Sequence, residues 1–482
     1  MRRIAIIGGG ISGLSAAFYL EQQRRKGAPL EYVLFEKTSR LGGSLQTEHA
    51  NDCLIEAGPD SFLTEKPWAA DLCRELGIDG QLIGSNDPDR KTYILVKGRL
   101  VPIPDGLMFM VPTKILPVVF SRLFSSRAKL GMAREWFHPP RPANGDETVA
   151  ALVERHYGPE MVDRLADPLL SGVYGGEASG LSVRAVLPRF AEMEAKHGSL
   201  GRGMLAARKR MANNKVSPRP LFTSLKHGMQ QLVDTTMARL PREALRTGST
   251  VRALRLDGSS WLVALDDSGG ERFDSVILAI PAPAAGALLA PVQAELAREL
   301  SGIAYSSSVT LTLGYGRRGL RLPPGFGFLV PRSEGRRMLA CTFVHNKFPH
   351  RAPKDRALIR CFLGGSRDEE ILSWPEQQIE LAVRTELRDI LWLTAKPLFC
   401  RIYKWQGAMA QYGVGHLERL ERIERLRQQL PGLALAGNGY RGIGVPDCIR
   451  SGKEAAAFAV NPQGAITDVT PANHPLAQQP AR

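Results

Sequence analysis

The sequence predicts an α/β protein with α+β insertions. Three observations carry this prediction. An apolar β-branched strand at residues 4–7 runs directly into a glycine turn and a helix. The same order of strand, glycine turn and helix returns at residues 432–458, close to the carboxyl end. Between them, long stretches with helical spacing alternate with strand-like stretches, which is typical of a chain that builds a second layer on a parallel sheet.

The amino-terminal turn has the pattern G-x-G-x-x-G. Gly8 is expected to make the tight turn, Gly10 to let the backbone approach a pyrophosphate, and Gly13 to let the helix pack against the strand. The helix then presents unpaired N–H groups to the phosphates. The residues expected to surround the diphosphate are Gly8, Gly9, Gly10, Ile11, Ser12, Gly13 and Leu14. The pattern therefore predicts a Rossmann-like domain that binds a dinucleotide.

A second strand at residues 32–35 ends in Glu36, whose carboxylate is expected to accept a hydrogen bond from a ribose hydroxyl. A further glycine pair, Gly42-Gly43, follows closely, and Arg40 before it is expected to add charge beside a phosphate. Lys37 and Ser44 complete the predicted site. This R-x-G-G stretch resembles that of flavoproteins in the amine oxidase superfamily, which bind FAD rather than NAD. The alternative is a plain turn.

Two distant segments support FAD. The first is a β-meander at residues 251–256, 261–265 and 272–273, which leads to a buried strand at 275–281. The second is the strand and glycine turn at 432–444, followed by a helix at 449–458 whose amino terminus again points N–H groups at an anion. The sequence thus predicts a discontinuous FAD-binding domain formed by residues 1–90, 216–300 and 426–461.

Two insertions and a tail account for the rest of the chain. Residues 91–215 are expected to form a helical insertion, and residues 301–425 a mixed sheet around a substrate chamber. The apolar segment at 106–120 is interrupted by prolines and reads as short amphipathic helices, which would lie in a membrane interface, line an apolar tunnel or pack in an ordinary core. The polar tail at 462–482 is expected to be disordered.

Composition and residue spacing limit the classes of protein to which the chain can belong. The 482 residues are 44% hydrophobic and 23% charged, which is typical of a globular protein. The cysteines show no C-x-x-C spacing and the histidines no H-E-x-x-H spacing, so no metal site and no disulfide framework are expected. No apolar run reaches eighteen residues and no signal peptide is expected, which favours a cytoplasmic protein. Peripheral contact with the inner face of the membrane is compatible with this prediction.

The formal net charge of +15 is concentrated in part at residues 184–226, which contain ten Lys or Arg. Such a block suits nucleic acid, anionic lipid or an acidic small molecule, and it is also compatible with a plain solvated surface. Nucleic acid is not expected as a partner, because no known binding module is recognisable.

The chain resembles, over nearly its whole length, the oxygen-dependent porphyrinogen oxidases of haem biosynthesis, the protoporphyrinogen IX and coproporphyrinogen III oxidase family. The D-P-L-x-S-G-V-Y-G-G run at 167–176 and the W-x-x-A-M-x-Q-Y run at 405–412 distinguish this family from monoamine oxidases and carotene desaturases. Shorter matches lie at 56–62, 225–229 and 325–331. The chain departs from the family at Ala410, where a proline is usual.

The resemblance implies a role for further residues. Gly58, Pro59, Asp60 and Ser61 approach the ribityl chain and flavin, and Val251 meets the adenine through its backbone. Trp405 lies near the isoalloxazine, and the carboxyl-terminal segment covers the pyrimidine side of the flavin. That segment contributes Gly437, Asn438, Gly444, Val445, Pro446 and Asp447. Phe326, Leu329 and Phe362 line an apolar substrate pocket.

The resemblance also implies the chemistry. The flavin takes a hydride from a saturated bridge carbon of the porphyrinogen three times, and O2 reoxidises it to give H2O2. No protein residue is named as a catalytic acid, base or nucleophile. The substrate carboxylates require basic partners, of which Lys91 is the preferred candidate and Arg90, Arg184 and Lys226 are the others. The basic excess favours the tetracarboxylate, coproporphyrinogen, over the dicarboxylate, protoporphyrinogen.

Partners and rival functions complete the prediction. Beyond porphyrinogen and O2, a ferrochelatase-type enzyme is expected as pathway partner, and the protein is expected to be a monomer or homodimer. The alternatives are an FAD amine oxidase, a carotenoid-type desaturase, and a non-enzymatic flavoprotein scaffold.

Overall fold

The structure is a computed structural model that describes residues 1–142, 145–212, 219–265 and 269–462. Residues 463–482 of the predicted tail and residues 213–218 of the basic block lie outside the described residues.

The chain combines runs of strands with runs of helices. The described strands are β1 (Arg2–Ile7), β2 (Leu30–Phe35), β3 (Thr47–Ala50), β4 (Cys53–Glu56), β5 (Phe62–Leu63), β6 (Leu82–Gly84), β7 (Thr92–Val96), β8 (Arg99–Pro102), β9 (Leu107–Met108), β10 (Val111–Pro112), β11 (Phe222–Leu225), β12 (Leu245–Arg246), β13 (Val251–Asp257), β14 (Ser260–Leu265), β15 (Gly270–Phe273), β16 (Ser275–Leu278), β17 (Tyr305–Gly316), β18 (Gly327–Leu329), β19 (Met338–Phe343), β20 (Arg356–Gly364), β21 (Phe399–Ala410) and β22 (Leu433–Leu435).

The described helices are α1 (Ile11–Arg25), α2 (Trp68–Leu76), α3 (Ile115–Phe120), α4 (Ser126–Glu135), α5 (Val149–Tyr157), α6 (Pro159–Met161), α7 (Asp167–Tyr174), α8 (Val183–Val186), α9 (Pro188–His197), α10 (Leu200–Ala212), α11 (Gln230–Met237), α12 (Ala282–Leu289), α13 (Ala294–Ser301), α14 (Val344–Lys347), α15 (Glu376–Leu391), α16 (His416–Arg427) and α17 (Val445–Val460).

A parallel sheet forms the centre of the dinucleotide-binding part. Its strand order is β12-β2-β1-β16-β22, and Ile6 of β1 lies between Leu34 of β2 and Ile277 of β16. All three side chains are fully buried, as expected for strands covered on both faces. Helices α1 and α17 pack on one face so closely that a Cβ at Gly452 would lie 2.2 Å from the carbonyl oxygen of Ser12. The predicted α/β fold is confirmed.

The β-meander is present as strands β13, β14 and β15, which pair antiparallel in that order. Two bounds differ from the sequence prediction. The strand predicted at 275–281 ends at Leu278, and α17 begins at Val445 rather than at residue 449. The earlier start of α17 has a simple cause, because Pro446 sits in the first turn, where the missing N–H costs no hydrogen bond.

A mixed seven-stranded sheet forms the second layer, in the order β21-β17-β20-β19-β18-β7-β8. Strand β7 pairs parallel with β18, and the other neighbours are antiparallel. Helix α15 covers one face, where Val383 and Leu387 join the same buried cluster as Val309 and Ile359. The assignment of residues 92–102 to the helical insertion was wrong, since these residues extend this sheet as β7 and β8.

The apolar segment at 106–120 also differs from its prediction. Residues 107–112 form the small ladder of β9 and β10, and only α3 is helical. The turn between the two strands places Phe109 at a positive φ of 58°, and Pro112 ends the ladder, as proline tends to do. The ladder is buried in an ordinary core, whereas most of α3 is exposed to solvent.

A buried histidine links several helices of the region between residues 126 and 212. His156 on α5 lies between two carboxylates, with Nδ1 3.2 Å from Glu135 and Nε2 3.1 Å from Glu194. Glu135 also accepts a 2.9 Å hydrogen bond from the Ser199 hydroxyl, at the amino end of α10. Helices α4, α5, α9 and α10 are therefore joined by one polar network. In the described part of the chain, no helix combines the length and the apolar composition that crossing a membrane requires.

Candidate active site

The glycine turn between β1 and α1 has the geometry of a dinucleotide site. A Cβ at Gly13 would lie 1.9 Å from the carbonyl oxygen of Gly8, so only glycine allows the helix to pack this closely. A Cβ at Gly10 would meet no heavy atom within 4 Å, which leaves room beside that backbone. No side chain caps the amino terminus of α1 at Gly10. The residues present therefore fit a diphosphate held by Gly8 to Leu14.

Glu36 lies directly beside this turn. Its carboxylate accepts hydrogen bonds from the N–H of Gly9 at 2.8 Å and from the N–H of Thr38 at 2.8 Å. The segment before Val251 reaches the same place, because the N–H of Ser249 donates to the carbonyl of Glu36 at 2.8 Å. The structure thus brings together the residues expected around the ribose and adenine. Lys37, next to Glu36, is exposed.

The second glycine loop packs against the first. The N–H of Gly42 donates to the carbonyl of Gly9 at 2.7 Å, and a Cβ at Gly43 would lie 3.1 Å from Cα of Gly10. Arg40 donates to the carbonyls of Leu41 at 3.0 Å and Leu45 at 2.9 Å. Arg40 therefore fixes the shape of its own loop through these hydrogen bonds, a role that the sequence prediction of a phosphate-facing charge did not include.

The loop at residues 56–61 continues this path. A Cβ at Gly58 would lie 2.0 Å from the carbonyl oxygen of Ser44. The carbonyl of Ala57 accepts hydrogen bonds from the Thr310 hydroxyl at 2.8 Å and from Nε1 of the Trp405 indole at 3.0 Å. The mixed sheet thus supports the loop from behind, and Trp405 meets the loop that the resemblance places near the flavin.

The amino terminus of α17 contributes the last predicted segment of the site. Asp447 is buried, and its carboxylate accepts hydrogen bonds from Nζ of Lys66 at 2.5 Å and from the N–H of Gly444 at 3.2 Å. The preceding turn is held by Asn438, which donates to the carbonyl of Ala408 at 2.8 Å, and by Gly437, whose N–H donates to Ser451 at 3.0 Å. Val445 and Pro446 are buried beside them.

Sequence reasoning missed four basic residues at this site: Lys66, Lys347, Arg351 and Arg360. Lys347 pairs with Asp60 at 3.0 Å, and Arg351 pairs with Glu56 at 2.7 Å. Burial alone would raise the pKa of Asp60, but the charges of Lys347 and Arg360 hold it below its ordinary value. The missed residues are scattered along the chain, and the only local signal was Arg360, a charge between apolar neighbours inside strand β20.

Two of the three expected pocket residues lie in one row across the mixed sheet. Leu329 on β18 and Phe362 on β20 both pair with Ala340, the residue between them on β19, so they share one face of the sheet. This face is opposite the one covered by α15. Helix α7 lies above it, where a Cβ at Gly172 would be 3.9 Å from Leu329. Phe326 precedes β18 and is 7% exposed, and its N–H donates to the carbonyl of Lys91 at 2.7 Å.

The four candidate partners for substrate carboxylates do not converge. Arg90 lies 3.7 Å from Asp87, and Arg184 forms a 2.6 Å ion pair with Glu418. Lys226 lines a separate cleft of about 450 Å³ together with His49, His227 and His350. Lys91 is exposed, and it is linked to Phe326 by a backbone hydrogen bond, in which its carbonyl accepts from the N–H of Phe326. The proposal for Lys91 therefore rests on its sequence position.

The described residues contain no cluster of His, Cys, Asp or Glu arranged to hold a metal ion, and the six cysteines, all described, are free. The fold combines a glycine turn that would fit a diphosphate, an acid beside that turn, the 56–61 loop and a sheet face that carries Leu329 and Phe362. Together these features define an oxidoreductase that uses FAD.

Comparison with known proteins identifies the family. The model of the flavin containing amine oxidoreductase family matches residues 11–459, and the chain belongs to this family. It is 33% identical over 464 residues to the coproporphyrinogen III oxidase of Bacillus subtilis (strain 168), with 95% of this chain and 98% of that protein covered. It is 31% identical over 491 residues to the protoporphyrinogen oxidase of Bos taurus, with 95% and 98% covered.

A solved structure gives the same answer. A protein from Exiguobacterium sp. 255-15, named provisionally as a protoporphyrinogen oxidase, matches with a TM-score of 0.86 and 31% identity. The match covers 96% of this chain and 99% of that chain. The fold and the sequence therefore point to the same family.

Replacement of Glu36 by alanine is expected to weaken FAD retention, because the ribose would lose its carboxylate acceptor while the N–H groups of Gly9 and Thr38 lose theirs. The flavin content after dialysis, measured from the absorption band, tests this. The matched control is Glu31→Ala on the same strand, whose side chain is exposed. Equal flavin content in both variants would remove Glu36 from the ribose site.

Proposed function

We propose that the protein is a porphyrinogen oxidase that converts coproporphyrinogen III into coproporphyrin III, with O2 as electron acceptor and H2O2 as by-product. The observation that carries the proposal is the full-length similarity to relatives named for this chemistry, 33% identical with 98% of the relative covered. Three molecules of O2 accept the six electrons and six hydrogens that separate porphyrinogen from porphyrin, which gives three molecules of H2O2.

When bound, FAD supplies the hydride acceptor. The chain's own residues then have to bind the macrocycle, orient it and exclude water. Leu329 and Phe362 would contact the macrocycle from one face of the mixed sheet, and Trp405 joins that sheet to the 56–61 loop at the proposed flavin position. No side chain is assigned as a catalytic acid or base, because hydride transfer to FAD requires none at the bridge carbon.

The decisive assay gives the purified yellow protein coproporphyrinogen III and protoporphyrinogen IX in parallel and follows porphyrin fluorescence. The tetracarboxylate is expected to react with the higher kcat/KM, because the chain is strongly basic. Loss of the flavin band under anaerobic substrate would exclude a scaffold role. If amines bleach the band and porphyrinogens leave it unchanged, the protein is an amine oxidase and the proposal is wrong.

Replacement of Phe362 by leucine tests the apolar face. This substitution is expected to raise KM for the porphyrinogen about tenfold, because the macrocycle loses part of an aromatic contact, while KM for O2 stays unchanged. The matched control is Phe120→Leu, whose side chain is 81% exposed on α3, outside the mixed sheet. A parallel rise in both Michaelis constants would place Phe362 outside the pocket. Phe326→Ala and Leu329→Ala, measured in the same way, extend the test to the other two residues.

We also propose peripheral contact with an anionic membrane surface. Helix α3 exposes an apolar patch, formed by Ile115, Leu116, Val119 and Phe120, with exposed fractions between 46% and 81%. Exposed arginines follow it in the chain at positions 122, 127 and 134. An exposed apolar face with cations close by in sequence is a composition that binds at a lipid headgroup boundary.

Sedimentation with liposomes tests this contact. The protein is expected to pellet with vesicles that contain anionic lipid at low salt and to be released at high salt. Phe120→Asp should abolish pelleting, whereas Trp392→Asp, at an equally exposed aromatic on the far side of the mixed sheet, should not. Absence of pelleting by the unaltered protein would contradict the membrane proposal and leave the oxidase proposal intact.

The product would pass to a ferrochelatase-type enzyme, since a free porphyrin is a substrate for metal insertion, and both enzymes would act at the cytoplasmic face of the membrane.

We also propose the domain bounds given from the sequence, with FAD-binding segments at 1–90, 216–300 and 426–461. Limited proteolysis with and without FAD would show whether these segments are protected together.

A further inference from the structure

Five charged side chains cluster at the 56–61 loop: Glu56, Arg351 and Arg360 are buried, and Asp60 and Lys347 are partly buried. Asp60 pairs with Lys347 at 3.0 Å, and Glu56 pairs with Arg351 at 2.7 Å. The fifth, Arg360, has no carboxylate within 4 Å among the residues that the structure describes. The group as a whole therefore has one more positive charge than negative charges.

Arg360 is 4% exposed, and its guanidinium faces the loop. Nη2 donates to the carbonyl of Gly58 at 2.5 Å and to that of Ala57 at 3.3 Å. The guanidinium carbon lies 4.9 Å from the ring centre of Phe362, and Nε is buried without a hydrogen-bond partner in the described structure. Carbonyl dipoles orient a guanidinium but do not neutralise it, and a buried arginine stays charged. An unneutralised buried charge is costly, so it requires a compensating partner.

The excess positive charge is present whichever protonation state the carboxylates adopt. Asp60 is ionised, because Lys347 and Arg360 together lower its pKa despite its burial. Burial raises the pKa of Glu56 in spite of Arg351. Protonation of Glu56 would only add to the positive excess.

A continuous path joins Arg360 to the dinucleotide turn. Gly58, whose carbonyl accepts from Arg360, packs against the Ser44 carbonyl so closely that a Cβ would lie 2.0 Å away. Ser44 follows Gly43, which packs on Gly10. Since the cofactor extends along these glycines in the proposed position, the guanidinium lies directly behind the loop that faces the flavin.

We propose that Arg360 is a positioning residue with two effects on the cofactor: it fixes the backbone at residues 57–58, and its charge stabilises the reduced form of FAD. A hydride brings one proton and two electrons, so a neutral flavin that accepts it gains one negative charge. The uncompensated guanidinium has the opposite charge and is held in a water-poor site, where the interaction is screened least. This inference rests on the proposed position of FAD, not on the identity of the substrate.

The experiment uses the FAD-loaded protein and needs no porphyrinogen. Arg360→Gln keeps a donor for the two carbonyls and removes the charge, whereas Arg360→Lys keeps the charge. Two readouts follow the flavin itself: the equilibrium constant of two-electron reduction against a reference dye, and the dissociation constant of the flavin–sulfite adduct, which is also an anion. The matched control is Arg401→Gln, because Arg401 lies two strands away in the same row of the sheet but is exposed.

Arg360→Gln is expected to lower the equilibrium constant for reduction about tenfold, equivalent to about 30 mV for a two-electron couple, and to weaken the sulfite adduct to a similar extent. Arg360→Lys should retain most of both values, and Arg401→Gln should equal the unaltered protein. Equal shifts in the Gln and Lys variants, or no shift in either, would overturn the proposal. A porphyrinogen assay that fails while these flavin shifts are present would refute the proposed substrate alone.

Discussion

Arg351→Met is expected to lower the free energy of unfolding by about 3–5 kcal/mol, because removal of one partner of a buried ion pair leaves the other uncompensated. Arg351 is 1% exposed, and it donates to the Glu56 carboxylate at 2.7 Å and to the Ser224 hydroxyl at 2.6 Å. Glu56 retains hydrogen bonds from the N–H of Met229 and the hydroxyl of Thr47, which hold it in the interior without a counter-charge. Urea unfolding followed by fluorescence measures the loss.

The exposed pair Arg272–Asp257 provides the control. Its side chains are 65% and 61% exposed, so Arg272→Met should cost at most about 1 kcal/mol. The double variant Glu56→Gln/Arg351→Met should recover part of the loss, because it removes the stranded charge. If Arg351→Met costs no more than Arg272→Met, the buried pair does not stabilise the fold.

The loss should also depend on pH. Burial raises the pKa of Glu56 even with Arg351 present, and it should rise further in Arg351→Met. A carboxyl group with a raised folded-state pKa destabilises the fold above its unfolded pKa, near 4.3 for an ordinary Glu, and this effect fades as the pH falls. The deficit of Arg351→Met should therefore be smaller at pH 5 than at pH 8. If the stability deficit of Arg351→Met is the same at both pH values, it results from lost packing and not from the charge of Glu56.

The dinucleotide-binding part was predictable from the sequence because its signals are local. The G-x-G-x-x-G turn, the strand ending in Glu36 and the β-meander each occupy a short stretch in which neighbours in sequence are neighbours in space. Local periodicity and glycine placement were sufficient for all of them.

The ion pairs of the 56–61 loop were not predictable in this way. Arg351 and Glu56 are 295 residues apart in sequence, and Lys347 and Asp60 are 287 apart. No local pattern links such residues, and each looks like an ordinary surface charge. Strands β7 and β8 were missed for a related reason: their partner β18 lies more than two hundred residues further along the chain. Only the folded sheet shows that residues 92–102 belong to it.

Gly10→Ala should separate folding from cofactor binding. A Cβ at Gly10 meets no heavy atom of the protein within 4 Å, and the backbone there has φ −70° and ψ 179°, which alanine adopts freely. The variant should thus fold with the melting temperature of the unaltered apoprotein. The open space beside Gly10 is where the diphosphate of FAD would approach the backbone, so FAD should bind at least about tenfold more weakly, a loss of about 1.4 kcal/mol.

Two further glycine variants make this result specific. Gly316→Ala also places a Cβ in open space, but at the end of β17 and away from the turn, so it should change neither melting nor FAD affinity. Gly13→Ala places a Cβ 1.9 Å from a backbone oxygen and should therefore lower the melting temperature even without FAD. Apoprotein melting curves and FAD titrations by flavin fluorescence distinguish the three. If Gly10→Ala binds FAD as tightly as Gly316→Ala, the diphosphate does not lie against Gly10, and the proposed cofactor position, with the role of Arg360 that depends on it, must be abandoned.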